Sequence, residues 1–249
     1  MDEKIQSLDR VFKILEEFEK YPKGLSLTEL SKNIGLHKST VHRFLNTLIK
    51  LGYVKQKDDS TYDLTFKLYN ISRYKVENID LIKLSHKHIQ NLSREINEVV
   101  HLVIQDGIYG IYIDKIDSDN TITLKSQVGN RTPLIYTSVG KAILSTYDDE
   151  TIQEIWNKSP HIKKGKNTIM NLKDFMDEIN KTRETKISID NEENEDGIYC
   201  IGTNINTNIR DIKAAISITG PLYRMKEKIC DKMYKELLKC AENISKELK

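Results

Sequence analysis

Between Lys38 and Lys57 the sequence gathers residue types that bind nucleic acid. Ser39, Thr40, His42, Arg43 and Asn46 lie between Lys38 and Lys50, and Lys55 and Lys57 follow. Arginine takes guanine through two parallel hydrogen bonds and asparagine takes adenine, while hydroxyl and ammonium groups hold phosphates. From Leu30 to Lys57 there are six basic residues and no acid. Residues 1–75 hold 14 Lys and Arg against 10 Asp and Glu, whereas the remaining 174 residues hold 25 against 27. A basic front on a near-neutral body points to a polyanionic partner for the front alone, double-stranded DNA first. A second set lies far downstream. Asp190 and Cys200 are ten residues apart, Ser217 and Thr219 alternate along one strand, and Ser138 and Val139 stand where a helix begins. The spacing by itself does not join these residues into one site.

These residues need elements to hold them. Leu8, Val11, Phe12, Leu15 and Phe18 fall at helical spacing, with Ser7 as the expected cap. Ser26-Leu27-Thr28-Glu29 reads as a capping box opening a second helix, and Gly35 closes it. Ser26 and Thr28, at that helix start, join the DNA-facing set. A third helix runs from Lys38 to Gly52, burying Val41, Phe44, Leu45, Leu48 and Leu51 and turning Ser39, Thr40, His42, Arg43, Asn46 and Lys50 outward. Tyr53–Lys57 and Thr61–Thr65 flank the Asp58-Asp59-Ser60 turn as a hairpin that would carry Lys55 and Lys57 beside the neighbouring backbone. Three helices and a hairpin make a winged helix-turn-helix.

Helical periodicity covers Phe66 to Ile96. Beyond it strands are expected at Val99–Gln105, Ile108–Ile116, Thr121–Val128, Ile187–Ile189, Ile198–Ile205 and Ile212–Thr219, with Asp106-Gly107 as a hairpin turn. Helices are expected near Val139–Ser145, Asp149–Trp156 and Leu172–Glu184, and a single long one over Tyr223–Leu248. The fold class is therefore α+β with a mostly antiparallel sheet. The domains are 1–66 (winged helix), 67–80 (helical linker) and 81–249.

Other classes fit less well. Mean hydropathy is -0.52 and no apolar run approaches the ~20 residues of a membrane-spanning helix, so no membrane partner is expected. Met1-Asp2-Glu3-Lys4 lacks the features of a signal peptide, and the expected location is the cytoplasm. Cys200, Cys230 and Cys240 suit neither a disulfide framework nor a zinc site. His86 and His88, two apart on a helix, diverge, so no metal or cofactor is expected. Cys200, His101 and Asp190 are the enzymatic alternative, as thiol, base and orienting acid. Their spacing does not bring them together, and such an enzyme leaves the basic front without a use.

The strings Ile5–Arg10, Leu25–Leu30, Lys38–Leu45 and Leu51–Val54, and later Val128–Leu134, Val139–Ala142, Asp190–Gly197 and Ala215–Pro221, closely resemble the IclR family of bacterial transcriptional regulators, over nearly the whole chain. The resemblance implies a winged helix, a linking helix and a profilin-like or GAF-like effector domain. It implies a repressor of a catabolic operon that binds operator DNA as a dimer or dimer of dimers, with sugar-acid breakdown the first expectation. It also implies that Ser138, Val139, Asp190, Cys200, Ser217 and Thr219 bind a small carboxylate or keto acid. No catalytic residue is implied. Tyr136 stands where relatives often have cysteine or a small residue, and Tyr199 where arginine is common. A Tyr136 facing the pocket would shrink it or add a hydroxyl.

Overall fold

The computed structural model describes residues 5–77, 80–120, 126–207, 212–229 and 231–248. The chain forms two compact units, Met1–Asn78 and Ile79–Lys249. In the first, α1 (Gln6–Glu17) is followed by α2 (Leu27–Ile34) and α3 (Lys38–Lys50), then by β1 (Val54–Gln56), β2 (Tyr62–Leu64) and α4 (Lys67–Glu77). The capping box forms: the Ser26 side chain accepts from the Glu29 amide, and the Glu29 carboxylate accepts from Ser26 N–H at 2.8 Å. Gly35 takes the left-handed backbone (φ 67°) that ends α2 and lets α3 turn away. The core joins Ile14, Phe18, Leu30, Val41, Leu45 and Leu48 to Val54 and Tyr62 of the hairpin.

Three details differ from the sequence reading. Ile5, not Ser7, occupies the cap of α1, and no side chain caps it. Leu8 and Phe12 are more than half exposed, because α1 turns Ile14 inward, with Val11 and Leu15 beside it and Phe18 just past its end. Leu51 is exposed too, since the chain leaves α3 there on its way to Gly52.

The second unit begins with α5 (Asp80–Ile96) and the hairpin β3 (Val99–Asp106) and β4 (Tyr109–Ile116). Then come β5 (Arg131–Pro133), α6 (Ser138–Leu144), α7 (Asp149–Lys158), α8 (Leu172–Thr185), β6 (Ser188–Asn191), β7 (Ile198–Ile205), β8 (Ala214–Pro221), α9 (Leu222–Lys228) and α10 (Asp231–Glu247). The expected strand at Thr121–Val128 falls mostly outside the described residues. The expected C-terminal helix is two helices: Ile229 leaves helical geometry (ψ 117°), and α9 separately sends Arg224 and Lys228 to the buried Glu98 carboxylate at 2.5 and 2.7 Å.

The strands form one antiparallel sheet in the order β5-β4-β3-β8-β7-β6. Alternation along each strand sorts the side chains onto two faces. Val100, Leu102, Ile201, Ile216 and Ile218 face α5 and α10 in one core. Val103 and Ala215 face the other way, into a core with α6, α7 and α8. His101, Ser217, Thr219 and Cys200 share this second face by the same alternation, and it is there that the sheet turns polar.

Candidate ligand cavity and nucleic-acid interface

On α3, Lys38, Ser39, His42, Arg43, Asn46 and Lys50 are exposed and Thr40 is half-buried, so one face of the helix presents the whole set. Asn46 Nδ2 lies 3.3 Å from His42 Nδ1, and the Arg43 guanidinium lies over the Phe44 ring. Thr28 is exposed at the second position of α2, and Lys55 is exposed on the hairpin. Two members of the set have work inside the unit. The Ser26 hydroxyl donates to Glu29 at 2.6 Å, and Lys57 donates to the Lys23 carbonyl at 2.8 Å while pairing with Asp63 at 3.1 Å. The hairpin tip carries exposed Asp58 and Asp59, and hydrogen bonds from Thr61 hold the Asp59 carboxyl below its ordinary range.

In the second unit the register builds two polar rows on one face of the sheet. Asp190 pairs with Cys200 and Cys200 with Thr219; Ser188 pairs with Gly202, Gly202 with Ser217 and Ser217 with His101. The first turn of α6 lies over these rows. Ser188 Oγ donates to the Ser138 carbonyl at 2.6 Å, and a Cβ on Gly202 would stand 2.9 Å from the Ser138 carbonyl carbon. Only glycine permits that approach. The result is a cavity of about 200 Å³, and Ser138, Val139, Asp190, Cys200, Ser217 and Thr219 all line it. His101, Tyr112, Ser126 and Thr132 line it too, and Asn130, Lys164 and Asn194 add further polar groups.

Its electrostatics follow from burial. The Asp190 carboxylate accepts from the amides of Glu193 (2.9 Å) and Asn194 (3.4 Å). Even so, desolvation, reinforced by the nearby Glu193 charge, pushes it up to about 7, against the pull of Lys141. Lys141 is fully buried and donates to both oxygens of Glu193, at 2.6 and 2.8 Å. The family-like Gly140-Lys141 pair is thus structural. Gly140 lies against the backbone of Leu134, and Lys141 neutralises the buried Glu193. Burial pulls His101 down to about 3, helped by the Lys115 cation, and drives the Cys200 thiol well above its ordinary range.

The cavity brings Cys200, His101 and Asp190 together, which their spacing gave no reason to expect. They do not form a nucleophilic couple. The ring nitrogens of His101 face the hydroxyls of Ser126, Ser217 and Thr219, and a thiol held protonated is a poor nucleophile. Tyr136 is not in the cavity wall. It is buried in the second core, where its hydroxyl bonds the Pro160 carbonyl and accepts from Ile162 N–H at 2.7 Å. Tyr199 points to the opposite face of β7 from Cys200. Among the described residues no His, Cys, Asp and Glu cluster is arranged to hold a metal, and no helix is long and apolar enough to cross a membrane. His86 and His88 each pair with an acid, Asp114 and Glu247, at 2.8 Å.

Residues 7–58 match the IclR helix-turn-helix domain, and residues 74–246 match the bacterial transcriptional regulator IclR C-terminal domain. The chain belongs to the IclR family. It is 32% identical over 245 residues to the HTH-type transcriptional regulator KdgR of Escherichia coli K12, covering 98% of this chain and 93% of that protein. The crystal structure of the Thermotoga maritima IclR superposes with a TM-score of 0.79 at 29% identity, covering 98% of this chain and 99% of that one. An IclR homolog from Microbacterium hydrocarbonoxydans, complexed with 4-hydroxybenzoate, shares the fold with a TM-score of 0.82 at 17% identity, over 97% and 98% of the two chains. IclR-family members are transcriptional regulators, not enzymes, and this chain carries the family's DNA-binding domain. Sequence reasoning weighed His101 only as a catalytic base and passed over Ser126, Tyr112 and Thr132. One signal was available for His101: it is the polar residue in the apolar run Val99-Val100-His101-Leu102-Val103.

Proposed function

We propose that this IclR-family protein represses a catabolic operon in the cytoplasm, and that a small carboxylate or keto acid in the second-unit cavity changes its affinity for operator DNA. Helix α3 enters the major groove, with Arg43 and Asn46 reading base edges and Lys38, Ser39, Thr40, His42 and Lys50 meeting phosphates. Ser26 and Thr28 flank the phosphate backbone, with Lys55 and Lys57 on the adjoining hairpin. Residues 67–80 link the two functions. The observation that carries the reading of the cavity is that its wall gathers Ser138, Val139, Asp190, Cys200, Ser217 and Thr219 from four elements. A ligand-bound homolog of the same fold supports a small-molecule effector.

The protein acts as a dimer or dimer of dimers. The exposed apolar side chains of the first unit support this: Leu8 and Phe12 on α1, Phe66 before α4, and Tyr69 and Ile71 on α4. Coupling requires the acid to bind one arrangement of the protein more tightly than the other. The test is Arg43→Ala, assayed by fluorescence anisotropy on duplex DNA from the protein's own upstream region. The variant is expected to lose sequence discrimination by ~10- to 100-fold while binding acids as before. Retained discrimination would overturn the docking of α3.

A further inference from the structure

His101 sits at the centre of the polar face, in register with Ser217 on β8 and Lys115 on β4. Its ring is buried. Nε2 lies 2.8 Å from Ser126 Oγ, whereas among the described residues Nδ1 has two long neighbours, Thr219 Oγ1 at 3.3 Å and Ser217 Oγ at 3.4 Å. The Tyr112 ring packs against the imidazole at 4.9 Å. A neutral imidazole carries one N–H and one lone pair, and a well-formed bond to a hydroxyl is shorter than about 3.2 Å. Nε2 therefore has a well-formed bond and Nδ1 two long ones. The two hydroxyls beside Nδ1 both line the cavity, so this weakly bonded side of the ring faces the space a ligand would occupy.

The chemistry that fits is a neutral oxygen that both donates and accepts. An alcohol hydroxyl placed among Nδ1, Ser217 and Thr219 gives each of them a partner, whichever ring nitrogen holds the proton. A methylene in the same place leaves buried polar groups facing carbon, which a site built for hydrogen bonds strongly disfavours. Among the described residues, the exposed cation Lys164 also lines the cavity and suits the ligand's carboxylate. Lys141 is held by Glu193, and Arg131, at the rim, is exposed and paired with Asp106. The volume also restricts the ligand. At ~30 Å³ per water the cavity equals roughly seven waters, below the ~300 Å³ at which drug-sized sites begin.

We propose that His101, with Ser217 and Thr219, selects small acids that carry a hydroxyl apart from their carboxylate over unsubstituted acids of the same length. This rests on the reading that the cavity holds a small acid. The experiment is calorimetric titration of the full chain with two matched pairs, D-glycerate against propionate and D-gluconate against hexanoate. The wild type is expected to favour the hydroxy acid about tenfold or more in at least one pair. His101→Leu should bring that ratio close to one, while His101→Gln, whose amide keeps a donor and an acceptor, should retain most of it. If His101→Leu does not fold, the double variant Ser217→Ala/Thr219→Val is read the same way. Equal binding of both members of each pair by the wild type overturns the inference, as does an unchanged ratio in the folded Leu or double variant. If the wild type binds none of the four acids yet still binds duplex DNA, the small-acid reading of the cavity fails, and the inference with it.

Discussion

Replacing Lys141 by methionine tests the buried pair that ties α6 to the 190–197 segment of the cavity wall. Lys141 is completely buried and Glu193 nearly so, with Nζ 2.6 Å from Oε1. Removing the cation leaves a carboxylate buried beside a second one, Asp190. Breaking such a pair costs about 3–5 kcal/mol, and in a unit of this size each 1 kcal/mol moves Tm by about 2–4 °C, so a fall of roughly 10 °C is expected at pH 8. Burial already raises both carboxyls, and Lys141 is the group that lowers them, so its loss raises both further. A carboxyl raised in the folded state destabilises that state as pH rises from its unfolded value toward its folded one. The contribution is fully present in acid and lost above the folded value, so the deficit of Lys141→Met shrinks as pH falls from 8 to 5.5. Trp156, the single tryptophan, lies in the second core and reports unfolding of this unit alone. The double variant Lys141→Met/Glu193→Met should recover most of the loss. A Tm within 2 °C of wild type for the single variant, or a deficit that grows on acidification, would refute the account of the buried pair.

Three further predictions follow from the same geometry. Gly202→Ala drives a methyl into the Ser138 backbone and lifts α6 from the sheet; acid affinity measured by calorimetry should fall ~10-fold or more, with DNA binding intact. Asp58→Asn/Asp59→Asn removes two exposed charges from the hairpin tip, and should tighten binding to non-specific duplex roughly two- to five-fold at low salt, an effect that fades as salt rises. Because burial pushes Asp190 up to about 7, an anionic ligand should bind it best when neutral: affinity holds below pH 7 and falls by up to ~10-fold per unit above it, and Asp190→Asn should abolish that slope in titrations from pH 6 to 8.5.

The first unit was legible in the sequence because local chemistry specifies it. A Ser-x-x-Glu box, a left-handed glycine at Gly35 and a basic, acid-free segment each act within a few residues. The exception is α1, where apolar residues lie on more than one face and periodicity alone cannot say which is buried; the core took Ile14 and Phe18, leaving Leu8 and Phe12 outside. In the second unit most strands were readable, but the cavity depends on pairing between distant strands. The contact of His101 with Ser217 spans 116 residues. Shifting β8 against β3 by one residue would replace that row with its apolar neighbours. The burial of Asp190, Glu192 and Glu193 was not legible for the same reason: Glu193 meets a lysine 52 residues upstream.

The most direct test of the central claim is anisotropy of the wild type and of Asp190→Ala on a labelled duplex from the protein's own upstream region. Glyoxylate, pyruvate, acetate and 2-keto-3-deoxygluconate would each be titrated at fixed salt. The account predicts that at least one acid shifts the wild-type DNA affinity several-fold. Asp190→Ala should bind the duplex equally well without acid and show no shift with it. The same shift in both proteins would contradict it, because the acid would then act from somewhere other than this cavity.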